Sequence, residues 1–203
     1  MKNLVSVLKQ KNIGCGYLYF YIHLINEVAC FYFLGSIIGN FTYLWVVSLL
    51  YDVLAFLPQG IIGYLCDKNK KIKIDLLGIF CLVLALLLLG IKSTKYLSLI
   101  ILCIGNAFIH ISGALKTIKC SNGKLSHSAI YVAGGSFGII IGKILASLNI
   151  PFWIIIFMVL TTIPFILLAR TYQENNNYHM IGANVLDETW LNGITKGRAI
   201  IVM

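Results

Sequence analysis

Long apolar runs separated by short polar segments dominate the pattern of this chain. Each run approaches the roughly 20 residues that a helix needs to cross the hydrocarbon core of a bilayer. The runs predict spanning helices over residues 17–38, 43–65, 74–91, 96–115, 128–148 and 152–169. Because the gaps are short, neighbouring helices should form antiparallel pairs. The pattern therefore predicts an all-α membrane protein, a bundle of six transmembrane helices.

The composition agrees with a membrane location. Of the 203 residues, 59% are hydrophobic and only 11% are charged, whereas a soluble domain carries about 25% charged residues. The net charge of +9 does not indicate a nucleic-acid partner, because the lysines stand in the breaks between apolar runs. We expect the lipid bilayer, and no nucleic acid, to be the partner of this surface.

The basic residues also predict the orientation of the bundle. They concentrate before the first run, between the second and third, between the fourth and fifth, and after the sixth; examples are Lys9, Lys70, Lys119 and Arg170. All these segments lie on one side of the membrane, and the positive-inside rule makes that side cytoplasmic. We therefore expect both termini in the cytoplasm.

The ends of the chain differ from the bundle at 17–170. Residues 1–16 are predicted to be a cytoplasmic segment, and the polar stretch 171–197 a cytoplasmic linker. Residues 198–203 begin with an arginine and continue as an apolar run. This pattern is typical of the start of a seventh helix that is cut off, and a hydrophobic tail is the alternative.

Ionisable residues inside predicted spans are costly in the membrane and point to function. In the first span, His23, Asn26 and Glu27 have the spacing of one helix face. Two interpretations stand: a substrate or proton site with Glu27 as the titrating carboxylate, or a hydrogen-bond cluster that fixes helix packing.

Two other spans carry similar residues. Asp52 in the second span is a further titratable candidate, or an acid paired to a neighbouring helix. In the fourth span Asn106 and His110 lie on one face. A histidine there could carry a proton near neutral pH, or remain a neutral packing residue.

The fifth span has Gly134, Gly138 and Gly142 at intervals of four residues. Small residues at this spacing let two helix backbones approach closely, so we predict a helix-packing seam. Lys143 beside the seam either extends towards the interface or pairs with an acid.

Motifs of enzymes are missing from the chain. It contains no metalloprotease HExxH, no P-loop, no GxSxG and no closely spaced set of Cys and His. We therefore expect no enzyme, no cofactor and no metal site. The six cysteines form no CxxC pair and are expected to be reduced.

The loop after the second span carries a more specific motif. Gly63, Asp67, Lys68 and the later basic residue Lys71 resemble the signature between helices two and three of the major facilitator superfamily. Lys70 replaces the second glycine of that signature. The stretches 58–63, 105–110 and 134–138, together with His23, Asn26 and Glu27, are similar to the fosmidomycin-resistance-type branch and its bacterial relatives.

The resemblance covers residues 17–170 and corresponds to the amino-terminal six-helix half of such a carrier, which implies a multi-pass protein of the bacterial inner membrane. It implies secondary active transport of a small molecule by alternating access, driven by H⁺ and directed outwards. The pathway residues would be Glu27 and Asp52, with His23, Asn26, Asn106 and His110 lining the cavity. The partner would be a second six-helix half or a second copy. The alternative is a truncated or scaffold membrane protein that transports nothing without a partner half.

Overall fold

The chain is helical almost throughout the part that the structure, a computed structural model, describes: residues 11–37, 44–68, 73–121 and 125–174. The α-helices in this part are α1 Lys11–Ile37, α2 Leu44–Lys68, α3 Ile74–Leu89, α4 Lys95–Ser121, α5 Leu125–Ser147, α6 Phe152–Leu160 and α7 Thr162–Glu174. These ranges contain no β-strand, so the predicted all-α class is confirmed. The segment 198–203, most of the linker and Lys71 lie outside the described residues.

Within the described ranges, five apolar segments are long enough to cross a membrane: Gly16–Ile37, Trp45–Cys66, Lys95–Ile118, Ser126–Ser147 and Phe152–Arg170. The remaining predicted span, 74–91, is shorter as a helix than we expected. Helix α3 has 16 residues, or about 24 Å at the α-helical rise, against about 30 Å of hydrocarbon. It ends before Gly90, whose N–H bonds back to the carbonyl of Leu87, while the N–H of Ile91 bonds to the carbonyl of Leu88.

The last span is interrupted at Thr161, between α6 and α7. Pro164 has no N–H, so it cannot bond the carbonyl of Leu160 four residues earlier. The hydroxyls of Thr161 and Thr162 also donate to carbonyls three residues back, at 2.5 and 2.6 Å, which competes with regular helical bonding. In contrast, α2 continues as one helix through Pro58.

The outer surface of the bundle is apolar. Helix α2 is the least buried of these spans, with 17% of its apolar window inside the protein, and α5 and the α6–α7 segment follow with 28% each. Side chains such as Leu57, Ile61 and Ile140 are exposed, and a soluble protein rarely shows so continuous an apolar surface. With five full-length apolar helices, this surface defines a multi-pass integral membrane protein.

Helix α1 lies at the centre of the packing. It contacts α5 most extensively, along the predicted glycine seam. A Cβ atom at Gly134, Gly138 or Gly142 would overlap backbone carbonyl oxygens of α1, those of Phe20, Leu24 and Val28. The seam therefore lies inside the bundle, between α1 and α5.

Each of the other helices packs against α1, against α4 or against both. Helix α4 packs against α3, α2 and α1, while α6 and α7 pack against α1 and α3. Helices α2 and α5 contact each other at most weakly. A cleft therefore opens between them, with α1 and α4 as its floor.

Candidate functional site

The predicted polar face of α1 forms the floor of this cleft. His23, Asn26 and Glu27 are each at least 95% buried. The carboxylate of Glu27 accepts a hydrogen bond from Nδ2 of Asn26 at 3.0 Å. Two of the three, His23 and Glu27, line the cleft itself.

Helix α4 brings the two predicted polar residues of the fourth span against this face. Nε2 of His110 lies 2.8 Å from Oε1 of Glu27. The amide of Asn26 donates to Oδ1 of Asn106. Hydrogen bonds thus link four of the six predicted pathway residues, and a fifth, His23, has its Nε2 atom 3.8 Å from the same Oε1.

Helix α2 contributes a residue that the sequence did not single out. The hydroxyl of Tyr51 accepts a hydrogen bond from Nδ2 of Asn106 at 2.6 Å, and Tyr51 is 2% exposed. The neighbouring Asp52 lines the cleft but is exposed and forms no ion pair within the described ranges. The position of Tyr51, next to an acid in a span, was the only signal of its role.

Helix α5 fixes the ring of His23. Nδ1 of His23 lies 2.8 Å from the backbone carbonyl of Tyr131, and the two rings stack with centroids 4.4 Å apart. A carbonyl oxygen only accepts, so Nδ1 must carry the hydrogen. In neutral His23 the lone pair is then on Nε2, the atom that faces Glu27.

The cleft has a volume of about 200 Å³. Its floor and walls combine the polar cluster with apolar side chains of α1, α2 and α5. The lining residues are His23, Glu27, Phe31, Tyr51, Asp52, Phe56, Asn106, His110, Val132, Gly135, Ser136 and Ile139. Such a mixture of an apolar wall with a few convergent polar groups is typical of a small-molecule site.

Three side chains of this cluster offer atoms of the kind that bind metals. One ligand atom each from His23, Glu27 and His110 lies within 4.8 Å of the others. Spacing along the chain could not show this set, because His110 stands 83 positions after Glu27.

The predicted loop signature lies apart from the cleft, at the end of α2. The ammonium of Lys68 stands 4.6 Å from the ring centroid of Tyr64. Gly63 is not at a close helix contact within the described residues, because a Cβ there would meet no atom within 4 Å. Asp67 belongs to the last turn of α2.

A second buried charge cluster was missed by the sequence analysis. Asp75, at the start of α3, is 3% exposed and pairs with Lys116 of α4 and Arg170 of α7. In the sequence, Arg170 indicated only the orientation of the bundle. The two cations also tie three helices together at one end.

Lys143 contacts an aromatic ring and no acid among the described residues. Its ammonium lies 5.3 Å from the ring centroid of Phe31, which lines the cleft. Of the two alternatives that the sequence left open, the pairing with an acid is therefore not the one observed.

The fold and the cleft define a multi-pass α-helical membrane protein with a buried cluster of ionisable side chains. Comparison with protein-family models, with curated proteins and with solved structures finds no match to this chain. Any function must therefore be argued from the cleft itself.

Proposed function

We propose that this protein is a secondary active transporter, or one six-helix half of one, that moves a small solute by alternating access. The observation that carries the proposal is the cleft between α2 and α5, which is floored by the buried His23, Glu27 and His110. Ionisable groups inside membrane spans are costly and typically mark substrate or ion pathways.

The packing scheme supports the same proposal. Two kinds of helix contact each occur twice. Helix α1 packs on α5, and α4 packs on α2 in the corresponding way. Helix α3 packs on α4, and the α6–α7 segment packs on α1 in the corresponding way. If the first three spans, α1 to α3, exchange places with the last three, α4, α5 and α6–α7, the same pairs of spans remain in contact. A group of three spans starts on one side of the membrane and ends on the other, so the second group is inverted relative to the first. This scheme resembles the nested inverted repeats of major-facilitator carriers, whose sites lie at the repeat interface.

Asp52 supports a second wall for the cleft. Its side chain is exposed on a membrane-spanning helix, where contact with lipid would cost several kcal/mol. A water-filled cavity between this bundle and a second half, or a second copy, would remove that cost. Transport would then be coupled to H⁺ through Glu27, with Asp52 as a second acceptor.

Accessibility to a water-soluble reagent tests whether the cleft is an aqueous pathway. In a cysteine-free background, Ser136→Cys places a thiol on the cleft side of α5, and Phe137→Cys places one about 100° around the helix on the exposed apolar surface. An impermeant maleimide added to either side of proteoliposomes should label the first variant and spare the second. Equal protection of both variants would refute an aqueous cleft.

Measurements of solute flux test whether transport is coupled to H⁺ through Glu27. In proteoliposomes with an imposed pH gradient, Glu27→Gln should abolish pH-driven flux while leaving expression and membrane insertion intact. Undiminished flux at every pH would remove Glu27 from the mechanism.

The alternative is a scaffold that transports nothing. It is favoured by the hydrogen bonds among Asn26, Asn106 and Tyr51, which alone would hold three helices together. A scaffold predicts that Ser136→Cys is protected in the membrane, so the labelling experiment separates the two functions.

A further inference from the structure

We infer that His23, Glu27 and His110 form a binding site for a divalent transition-metal cation of the zinc type. One part of this inference rests on the proposed transport function, namely that the bound cation is the substrate of the carrier. The binding site itself is argued from the geometry of three side chains.

The spacing of the ligand atoms suits such an ion. Zinc binds histidine nitrogens and carboxylate oxygens at about 2.0–2.2 Å, so two ligands at tetrahedral angles lie about 3.4 Å apart. Oε1 of Glu27 is 2.8 Å from Nε2 of His110 and 3.8 Å from Nε2 of His23. The three ligand atoms lie within 4.8 Å of one another, so the widest pair would have to close by up to about 1.4 Å to place all three around one ion.

The tautomer of His23 prepares it for coordination. Its Nδ1–H donates to the carbonyl of Tyr131, which leaves the lone pair of Nε2 directed at the carboxylate of Glu27. Metal-bound histidines almost always donate their other N–H in this way, to a carbonyl or a carboxylate. Two acceptor atoms facing each other repel, and a cation between them would turn that repulsion into two bonds.

The carboxylate ligand, Glu27, is oriented as well. Asn26 donates to Oε1 of Glu27 and to Asn106, so the position of the carboxylate is fixed by a neighbouring amide. Partners of this kind hold ligands in place and raise metal affinity by about 10- to 100-fold.

The ligand chemistry selects the class of ion. Two imidazoles with one carboxylate suit zinc and its neighbours, whereas calcium and magnesium prefer sites made of oxygen alone. Three protein ligands leave a coordination position open towards the cleft. Asp52 on the cleft wall supplies a second carboxylate, so that a divalent cation would be neutralised inside the membrane.

Direct binding to the purified full chain tests the site. Tag-free protein in detergent is freed of metal and titrated with Zn²⁺ against a chelating indicator. One ion per chain is expected, and His23→Ala, His110→Ala and Glu27→Gln should each weaken binding by more than about 100-fold, since losing a ligand costs more than losing an outer partner. His127→Ala, which changes a histidine outside the set, is the matched control and should bind like the parent.

A spectroscopic experiment covers the case in which a ligand variant unfolds. Co²⁺ replaces Zn²⁺ in the parent and in His110→Cys, which retains a ligand and adds a thiolate. A sulfur-to-cobalt charge-transfer band is expected in this variant alone. No bound ion at millimolar Zn²⁺, or an affinity unchanged in all three ligand variants, would overturn the inference.

Flux of Zn²⁺ into proteoliposomes is measured separately from binding. Stoichiometric binding without flux would leave the metal site standing and count against the carrier. Flux of other solutes by a protein that binds no Zn²⁺ would refute the metal site and leave the transport proposal standing.

Discussion

Nε2 of His110 lies 2.8 Å from Oε1 of Glu27, a contact that joins α4 to α1 across 83 positions of the sequence. Both side chains are at most 18% exposed. The contact is the centre of the polar cluster, because the same carboxylate oxygen also accepts from Asn26 and faces His23.

A double-mutant cycle should measure this contact. Glu27→Gln and His110→Ala, made singly and together, are expected to show a coupling of about 1–2 kcal/mol in the free energy of unfolding, within the range of hydrogen bonds between membrane helices. Unfolding is followed by circular dichroism in mixed micelles. As a control, Glu27→Gln combined with Tyr96→Ala, at the exposed start of α4, should be additive to within about 0.5 kcal/mol.

The glycine seam predicts a large difference between two similar substitutions. Gly138→Ala should destabilise the bundle by about 1–3 kcal/mol, because the new methyl group would overlap the carbonyl oxygen of Leu24 and force the helices apart. Gly60→Ala has open space around it and should be neutral or stabilising by at most about 1 kcal/mol. Thermal unfolding in detergent compares the two, and equal losses would contradict the close approach of α1 and α5.

The second charge cluster predicts an asymmetric response. Asp75→Asn should destabilise by about 3–5 kcal/mol, because it leaves Lys116 and Arg170 facing each other without their shared anion. Lys116→Met should cost less, since Arg170 still pairs with Asp75. Chemical unfolding of both variants in micelles gives the comparison; a larger loss in Lys116→Met would mean that Asp75 is not the centre of the cluster.

Two tyrosines test the hydrogen bonds of the cleft. Tyr51→Phe removes the acceptor of the 2.6 Å bond from Asn106 and should cost about 1 kcal/mol. Tyr131→Phe removes only a long bond of 3.3 Å to the carbonyl of His110, so its cost should be smaller. The two variants are compared by unfolding under identical conditions, and the reverse order would show that Asn106 is satisfied elsewhere.

Parts of the candidate site could be predicted because they lie within one helix. The face made by His23, Asn26 and Glu27 follows from the period of the α-helix. The same period places Asn106 and His110 on one face of another helix. The glycine interval in α5 likewise indicated a packing surface. The sequence did not predict which helix packs against which face, because the residues around Gly138 do not indicate that it contacts Leu24.

The sequence by itself determined the class of this protein: the hydropathy of each run is a local property, and a run of about 20 apolar residues favours a membrane helix wherever its neighbours lie. Only the tertiary structure decided that α3 stops at 16 residues and that Asp75 gathers Lys116 and Arg170. It also brought Glu27 between two histidines. These contacts depend on helix packing across many tens of residues, and in the membrane such packing is set by side-chain shape and hydrogen bonding, which hydropathy does not encode.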